Sequence, residues 1–259
     1  MKFGICTSID NSGAVKDAGW EFVEVGVQGV LQGLAPDDQW TGLEQARKSV
    51  LPTPSANVLV PATLKITGPE ADLDGKLRPY MTKVLERAPK VGIRTLVFGS
   101  GGARNVPDGF DRSRAFDQIV AFARMSADIA SRHGVTLVFE PLNRKECNII
   151  NSVGEAMEYV RAVNHPNMQC LVDSFHFWLE DEPLDNLRAA MPHIRHVHLA
   201  DKVGRTPPGE SGQSDYRPFF RVLKEGNYNG LIAVEASKFD VPATGKKVLA
   251  YVKDQWNAA

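Results

Sequence analysis

Cysteine is scarce in this chain. Only Cys6, Cys147 and Cys170 occur in 259 residues, an odd number with no C-x-x-C spacing. That argues against a disulfide framework or a zinc ribbon, and a reducing cytoplasm is the expected compartment. Long apolar runs are lacking as well. No stretch approaches the roughly 18 residues of a membrane span, and residues 1–6 read as a strand without the apolar core of a signal peptide. Neither sign of charge dominates: 30 basic residues stand against 31 acidic ones, a net charge of −1. Nothing global therefore draws the chain to nucleic acid or to an anionic membrane. The glycine cluster Gly99-Ser100-Gly101-Gly102 lacks the Lys and Ser/Thr of a phosphate-binding P-loop and reads as a flexible loop.

What is present is the composition of a globular protein, 43% hydrophobic and 24% charged. The length suits one large α/β barrel or two ordinary domains. Short apolar runs alternate with amphipathic ones along the chain. The runs predict strands at residues 2–7, 22–26, 56–60, 95–99, 135–140, 168–173, 196–200 and 231–236. Between them the pattern predicts helices at 77–91, 112–133, 152–163, 184–191, 216–225 and 244–255. Strand and helix alternating eight times imply a parallel sheet closed into a single (β/α)8 TIM barrel spanning residues 1–259. Residues 35–53 are irregular. Ser152 and Glu155 have capping-box spacing, and Gly134 after His133 marks a helix end.

The most informative stretch is Val135-Thr-Leu-Val-Phe-Glu140-Pro-Leu-Asn-Arg-Lys-Glu146. An apolar, partly β-branched run ends in a carboxylate, and a proline then stops the strand. A buried acid is costly unless a cation or proton compensates it. In a βα-barrel the C-terminal ends of the strands form the active-site face. Three further strands end alike: Asp173 after Gln169-Cys-Leu-Val, His198 in His196-Val-His198-Leu, and Glu235 after Leu231-Ile-Ala-Val. Four metal-competent groups on consecutive strands make a pattern, since consecutive barrel strands are neighbours. Three carboxylates and one imidazole favour one Mn²⁺, Mg²⁺ or Co²⁺ ion over a thiolate zinc site. Such an ion, chelated by two oxygens of a hydroxyketone or aldose, would act as a Lewis acid on the carbonyl. Glu146, His176 and Arg205 follow these strand ends and suit sugar hydroxyls. His196 has the parity of His198 and should lie one layer deeper as a structural residue. Glu24 on the second strand should point inward too, lining the pocket or accepting from a core histidine. Trp178 should sit at the pocket rim.

Together these motifs resemble the sugar phosphate isomerase/epimerase superfamily, the xylose-isomerase-like barrels. Within it they are most similar to the D-tagatose and D-psicose 3-epimerase group. The residues that carry the resemblance are Glu140-Pro-Leu-Asn-Arg-Lys-Glu146-Cys-Asn, Asn151-Ser-x-x-Glu-Ala, Asp173-Ser-Phe-His176, His198-Leu-Ala-Asp and Val234-Glu235. The resemblance implies that Glu140, Asp173, His198 and Glu235 hold the metal. It also implies that Glu140 and Glu235 act as an acid/base pair, and that Glu146, His176 and Arg205 hold the substrate. Two positions depart from the pattern: Arg205 lies seven rather than six residues after His198, and Asp201 replaces a glutamate. The aromatic substrate contacts of the group are missing from the N-terminal half.

The expected activity is thus a metal-dependent sugar epimerase or isomerase working by α-proton abstraction through an enediolate. The expected partner is a small carbohydrate, with no nucleic acid and no membrane, and a homo-oligomer is compatible with the resemblance. An inosose-dehydratase-like lyase would use the same metal and a similar proton abstraction. An endonuclease IV-like phosphodiesterase shares the barrel but needs a histidine-rich multi-zinc cluster, and the chain has six histidines. A non-catalytic sugar-binding barrel would not require two opposed glutamates.

Overall fold

Seven of the eight predicted apolar runs form strands near their predicted places, and the third shifts. The computed structural model describes residues 1–259. Its strands are β1 (Lys2–Cys6), β2 (Phe22–Gly26), β3 (Ser55–Asn57), β4 (Thr95–Phe98), β5 (Thr136–Phe139), β6 (Met168–Asp173), β7 (Ile194–Leu199) and β8 (Leu231–Val234). Each pairs in parallel with the next, and β8 returns to β1, so the sheet closes in sequence order. This is a (β/α)8 barrel. No helix is long and apolar enough to cross a membrane.

Two apolar regions result. Seventy buried residues join the outer face of the sheet to the surrounding helices. A separate cluster of Val97, Val138 and Leu171 lies apart from that layer. Side chains alternate along a strand, so these three share their face with Gly99, Glu140 and Asp173, two residues further on. On the β4–β6 side the barrel interior is thus a small apolar floor beneath a polar mouth. Phe22 is fully buried and lies over Gly4, its register partner on β1. A Cβ at residue 4 would stand 2.4 Å from the Phe22 ring.

The helix from Arg112 to His133 has the predicted bounds, because its ends carry their own chemistry. The Asp111 side chain accepts from the Arg114 N–H at its start, and Gly134 closes it at φ +62°. The Ser152 hydroxyl caps the helix Val153–Val163 by accepting from the Glu155 N–H. Other boundaries move. The helix predicted at 244–255 extends from Val241 to Asn257. The helix predicted at 77–91 splits into Arg78–Arg87 and a 3₁₀ turn, Ala88–Val91, where Pro89 supplies no N–H. The third strand is shorter than predicted and lies earlier. It ends at Asn57 because Val58 takes φ +54°, a strained conformation for a β-branched residue. Glu140 and Glu235 fall one residue beyond their strands rather than inside them.

Gly4→Ala should destabilise the barrel by about 1–3 kcal/mol, the usual cost of overfilling a packed core. The check is thermal or denaturant unfolding of the variant. A wild-type Tm would mean that the Phe22 ring is free to move aside.

Candidate functional site

The strand ends bring four side chains together. One ligand atom each from Glu140, Asp173, His198 and Glu235 lies within 4.8 Å of the others. His198 and Asp173 face one another in the β6–β7 register, and His198 pairs with Ala233 on β8, two residues before Glu235. His198 Nδ1 is 3.1 Å from Glu140 Oε1 and 3.3 Å from Glu235 Oε2. Glu140, Asp173 and His198 are buried and Glu235 is partly exposed.

Glu24 decides which nitrogen of His198 faces this cluster. It is buried, and its Oε1 lies 2.8 Å from His198 Nε2. Its Oε2 lies 2.5 Å from His196 Nε2 and accepts from the Ser55 hydroxyl at 2.6 Å. With Nε2–H given to Glu24, Nδ1 is the nitrogen turned toward the carboxylates, the usual outer-shell arrangement for a metal-binding histidine. His196 is therefore the deeper, structural residue of the pair. A second group of possible ligands, Cys6, Glu24 and His198, is a poor metal site. The oxygens of Glu24 are already engaged, and burial with the Glu24 charge pushes the Cys6 thiol well above its usual range, which keeps it a thiol.

The charges are unevenly distributed. Burial, then the charge of Glu235, push the Glu140 carboxyl up. Burial raises Asp173 to about 6 against the pull of Arg205. Burial acts likewise on Glu235, but His198 and Arg205 outweigh it and hold that group at about 2. For His198 burial disfavours charge, and Glu24 leads the groups that outweigh it and raise its pKa. Glu140, Asp173 and Glu235 thus share the His198 imidazole, already engaged by Glu24, and the Arg205 guanidinium. A divalent cation fits this excess of hard oxygen donors, and Glu140, Asp173, His198 and Glu235 are the residues that could hold it.

Around the cluster lies a cavity of about 220 Å³, lined among others by Glu140, Glu146, His176, Arg205 and Glu235. Glu146 and Arg205 come from loops, and His176 from the helix Ser174–Leu179. The loop after β5 is stapled by Asn151, whose amide donates to the carbonyls of Leu142 at 2.7 Å and Cys147 at 2.6 Å. His176 Nδ1 accepts from the Asn143 N–H at 3.1 Å. Burial lowers the His176 pKa, so the ring is neutral and Nε2 carries the proton. Nε2 is buried without a hydrogen-bond partner, a donor in need of an acceptor. Glu146 Oε1 accepts from Asn143 Nδ2 at 2.8 Å and is the more exposed wall. Arg205 reaches Glu235 Oε2 at 2.6 Å and Asp173 Oδ2 at 3.4 Å, with its guanidinium over the Phe175 ring.

One contributor carried no plain sequence signal, and others carried one with a different meaning. Asn57 donates to Glu235 Oε1 at 2.7 Å. Asp201 is fully buried and accepts from Gly209 N–H, Ser211 N–H and the hydroxyls of Thr206, Ser211 and Tyr216. It ties down the loop that carries Arg205. Gly99 gives the glycine cluster a different meaning from a flexible loop, since a Cβ there would stand 2.1 Å from Glu140 Oε2. Asp173 does two things at once: Oδ1 accepts from the Phe175 N–H as a helix cap, while Oδ2 faces Arg205. Trp178 does not reach this cavity. It packs on Tyr216 and Phe219 and lines a separate cleft with Lys202 and Asp215, because the helix Ser174–Leu179 turns it away from His176.

A family model described as "Xylose isomerase-like TIM barrel" matches residues 13–254. The chain belongs to this family. Among its relatives is the D-psicose 3-epimerase of Ruminiclostridium cellulolyticum, 25% identical over 181 residues, covering 67% of this chain and 60% of that protein. The 3-dehydro-D-guloside 4-epimerase of Escherichia coli K12 is 33% identical over 129 residues, 48% of this chain and 46% of that one. The chain spans about 60% of the length of the curated D-psicose 3-epimerases it matches. The crystal structure of D-psicose 3-epimerase with D-tagatose from Clostridium cellulolyticum H10 superposes with a TM-score of 0.85 over 99% of each chain at 18% identity. That likeness speaks for the fold.

Mn²⁺ or Co²⁺ at about a hundredfold excess over Kd should stabilise the folded chain by about 2.7 kcal/mol, and Asp173→Asn should remove most of the shift. Differential scanning fluorimetry measures both. A Tm indifferent to every divalent cation would rule out the ligand set.

Proposed function

We propose that this family member is a divalent-metal-dependent sugar epimerase or isomerase acting on a ketose or aldose beside its carbonyl. The observation that carries the reading is the convergence of Glu140 and Glu235 on one small cavity that also holds an unpartnered His176 Nε2–H and the Arg205 guanidinium. The relatives named epimerases support it.

Glu140, Asp173, His198 and Glu235 would hold the cation, and Mn²⁺, Co²⁺ and Mg²⁺ suit these donors. When bound it supplies Lewis-acid polarisation of the substrate carbonyl. The remaining work falls to side chains. His176 Nε2–H and Arg205 donate to substrate oxygens, and Glu146 accepts from a hydroxyl. Glu140 and Glu235 come from strands three apart and approach the cavity from different sides of the mouth. One carboxylate removes the proton from the carbon next to the carbonyl, leaving an enediolate. The other returns a proton to the opposite face, which inverts that carbon. Return to the neighbouring carbon would instead interconvert ketose and aldose. Asn57 holds Glu235, and Gly99 leaves the space that Glu140 occupies. A multi-zinc phosphodiesterase is less well supported, because the two possible ligand groups share His198 and its Nε2 is engaged by Glu24.

Glu140→Gln and Glu235→Gln should each slow α-proton exchange by about 10²–10⁴-fold, the usual worth of a positioned acid or base. The measurement is NMR of free and phosphorylated ketoses in deuterated water with Mn²⁺-loaded protein. Wild-type exchange in either variant would sink the two-base mechanism.

A further inference from the structure

The small cavity does not end at Glu235. Glu235 also lines a second cavity of about 690 Å³, roughly three times the volume of the first. The second cavity opens on the β1–β3 side of the barrel mouth, and Asn57, which lines it, holds Glu235 Oε1 with its amide. Its size is within the range of sites that enclose a whole ligand. Glu140 does not line it, so a single ring held between Glu140 and Glu235 in the smaller cavity would not fill it.

The lining shows which chemistry it suits. Thr7, Asp10, Gln45, Lys48 and Asn57 offer hydroxyl, carboxylate, amide and ammonium groups around one space. Lys48 is the only cation among the lining residues, and Asp10, Glu24 and Glu235 oppose it. A phosphate or carboxylate ligand would meet more negative than positive charge there. No aromatic residue lines the space, so a flat hydrophobic ligand has nothing to stack on. Mixed donors and acceptors with little net attraction for an anion match a neutral polyhydroxyl ring.

We propose that the larger cavity is a subsite for a second, neutral sugar ring, so that the substrate is a keto sugar bearing a glycosyl substituent. The inference rests on the smaller cavity being the place where the α-proton is exchanged. The reacting keto ring sits there, and the second ring passes Glu235 and Asn57 into the larger space.

The test offers each keto sugar free and glycosylated to the metal-loaded full chain: D-fructose against isomaltulose and lactulose, and 3-ketoglucose against 3-ketosucrose. Solvent deuterium exchange is expected with a kcat/KM at least tenfold higher for a glycosylated member. Saturation-transfer NMR with Mg²⁺ present should show the second ring in contact with the protein. Gly29→Trp supplies the structural control. A Cβ at Gly29 meets nothing within 4 Å, so the indole would occupy open space in the larger cavity rather than displace the core. The variant should cut the preference for the glycosylated sugar at least tenfold. Exchange with free ketoses alone, and no transfer to a second ring, would overturn the subsite while leaving the epimerase reading intact. No exchange with any of these sugars would overturn both. A preference for the glycosylated sugar that Gly29→Trp leaves untouched would also overturn the subsite.

Discussion

Everything at the barrel mouth depends on confining acids that water would otherwise solvate. Glu24, Glu140 and Asp173 are buried, and Glu235 sits at their edge. Ionised carboxylates in such a place are costly unless each finds donors or a cation. His198 is the hinge of the solution. Its Nε2 answers Glu24, and its Nδ1 lies against Glu140 and Glu235. Arg205 takes up part of what remains. The negative charge still left over is what makes a divalent cation a fitting occupant.

The rest of the mouth is built to tolerate that concentration of charge. Gly99 has no side chain because Glu140 needs the space. Val58 accepts a left-handed backbone just after Asn57 grips Glu235, a place where strain sits beside function. Asp201 gathers five donors and so fixes the Arg205 loop. Below, Val97, Val138 and Leu171 form a dry floor. On β5 and β6 the scaffold therefore separates two tasks: apolar Val138 and Leu171 pack the interior, and Glu140 and Asp173 two residues on face the mouth.

Much of this was legible in the chain. The run Met168–Asp173 forms β6 at the predicted bounds, and the helix Arg112–His133 was bracketed by Asp111 and Gly134. Local chemistry wrote both. The third strand was misplaced because Val58 and Val60 look like strand residues, and nothing nearby announces the positive φ that ends it. Trp178 was misdirected for a related reason: spacing from His176 does not say which way a short helix turns. Glu24 read equally well as a pocket wall or as a histidine's partner, and only its place across the barrel from β7 shows it to be both.

The sequence by itself determined the barrel and the identity of its four strand-end ligand candidates, since two-residue alternation, helical periodicity and an acid ending an apolar run are local signals. Tertiary structure decided the rest. Closure of the barrel chose which nitrogen of His198 faces the carboxylates, left His176 Nε2 without a partner, and set Asn57 against Glu235 from 178 residues away in the chain. Those relations depend on register and on loops folding back over the mouth. No stretch of chain short enough to have its own periodicity contains both partners.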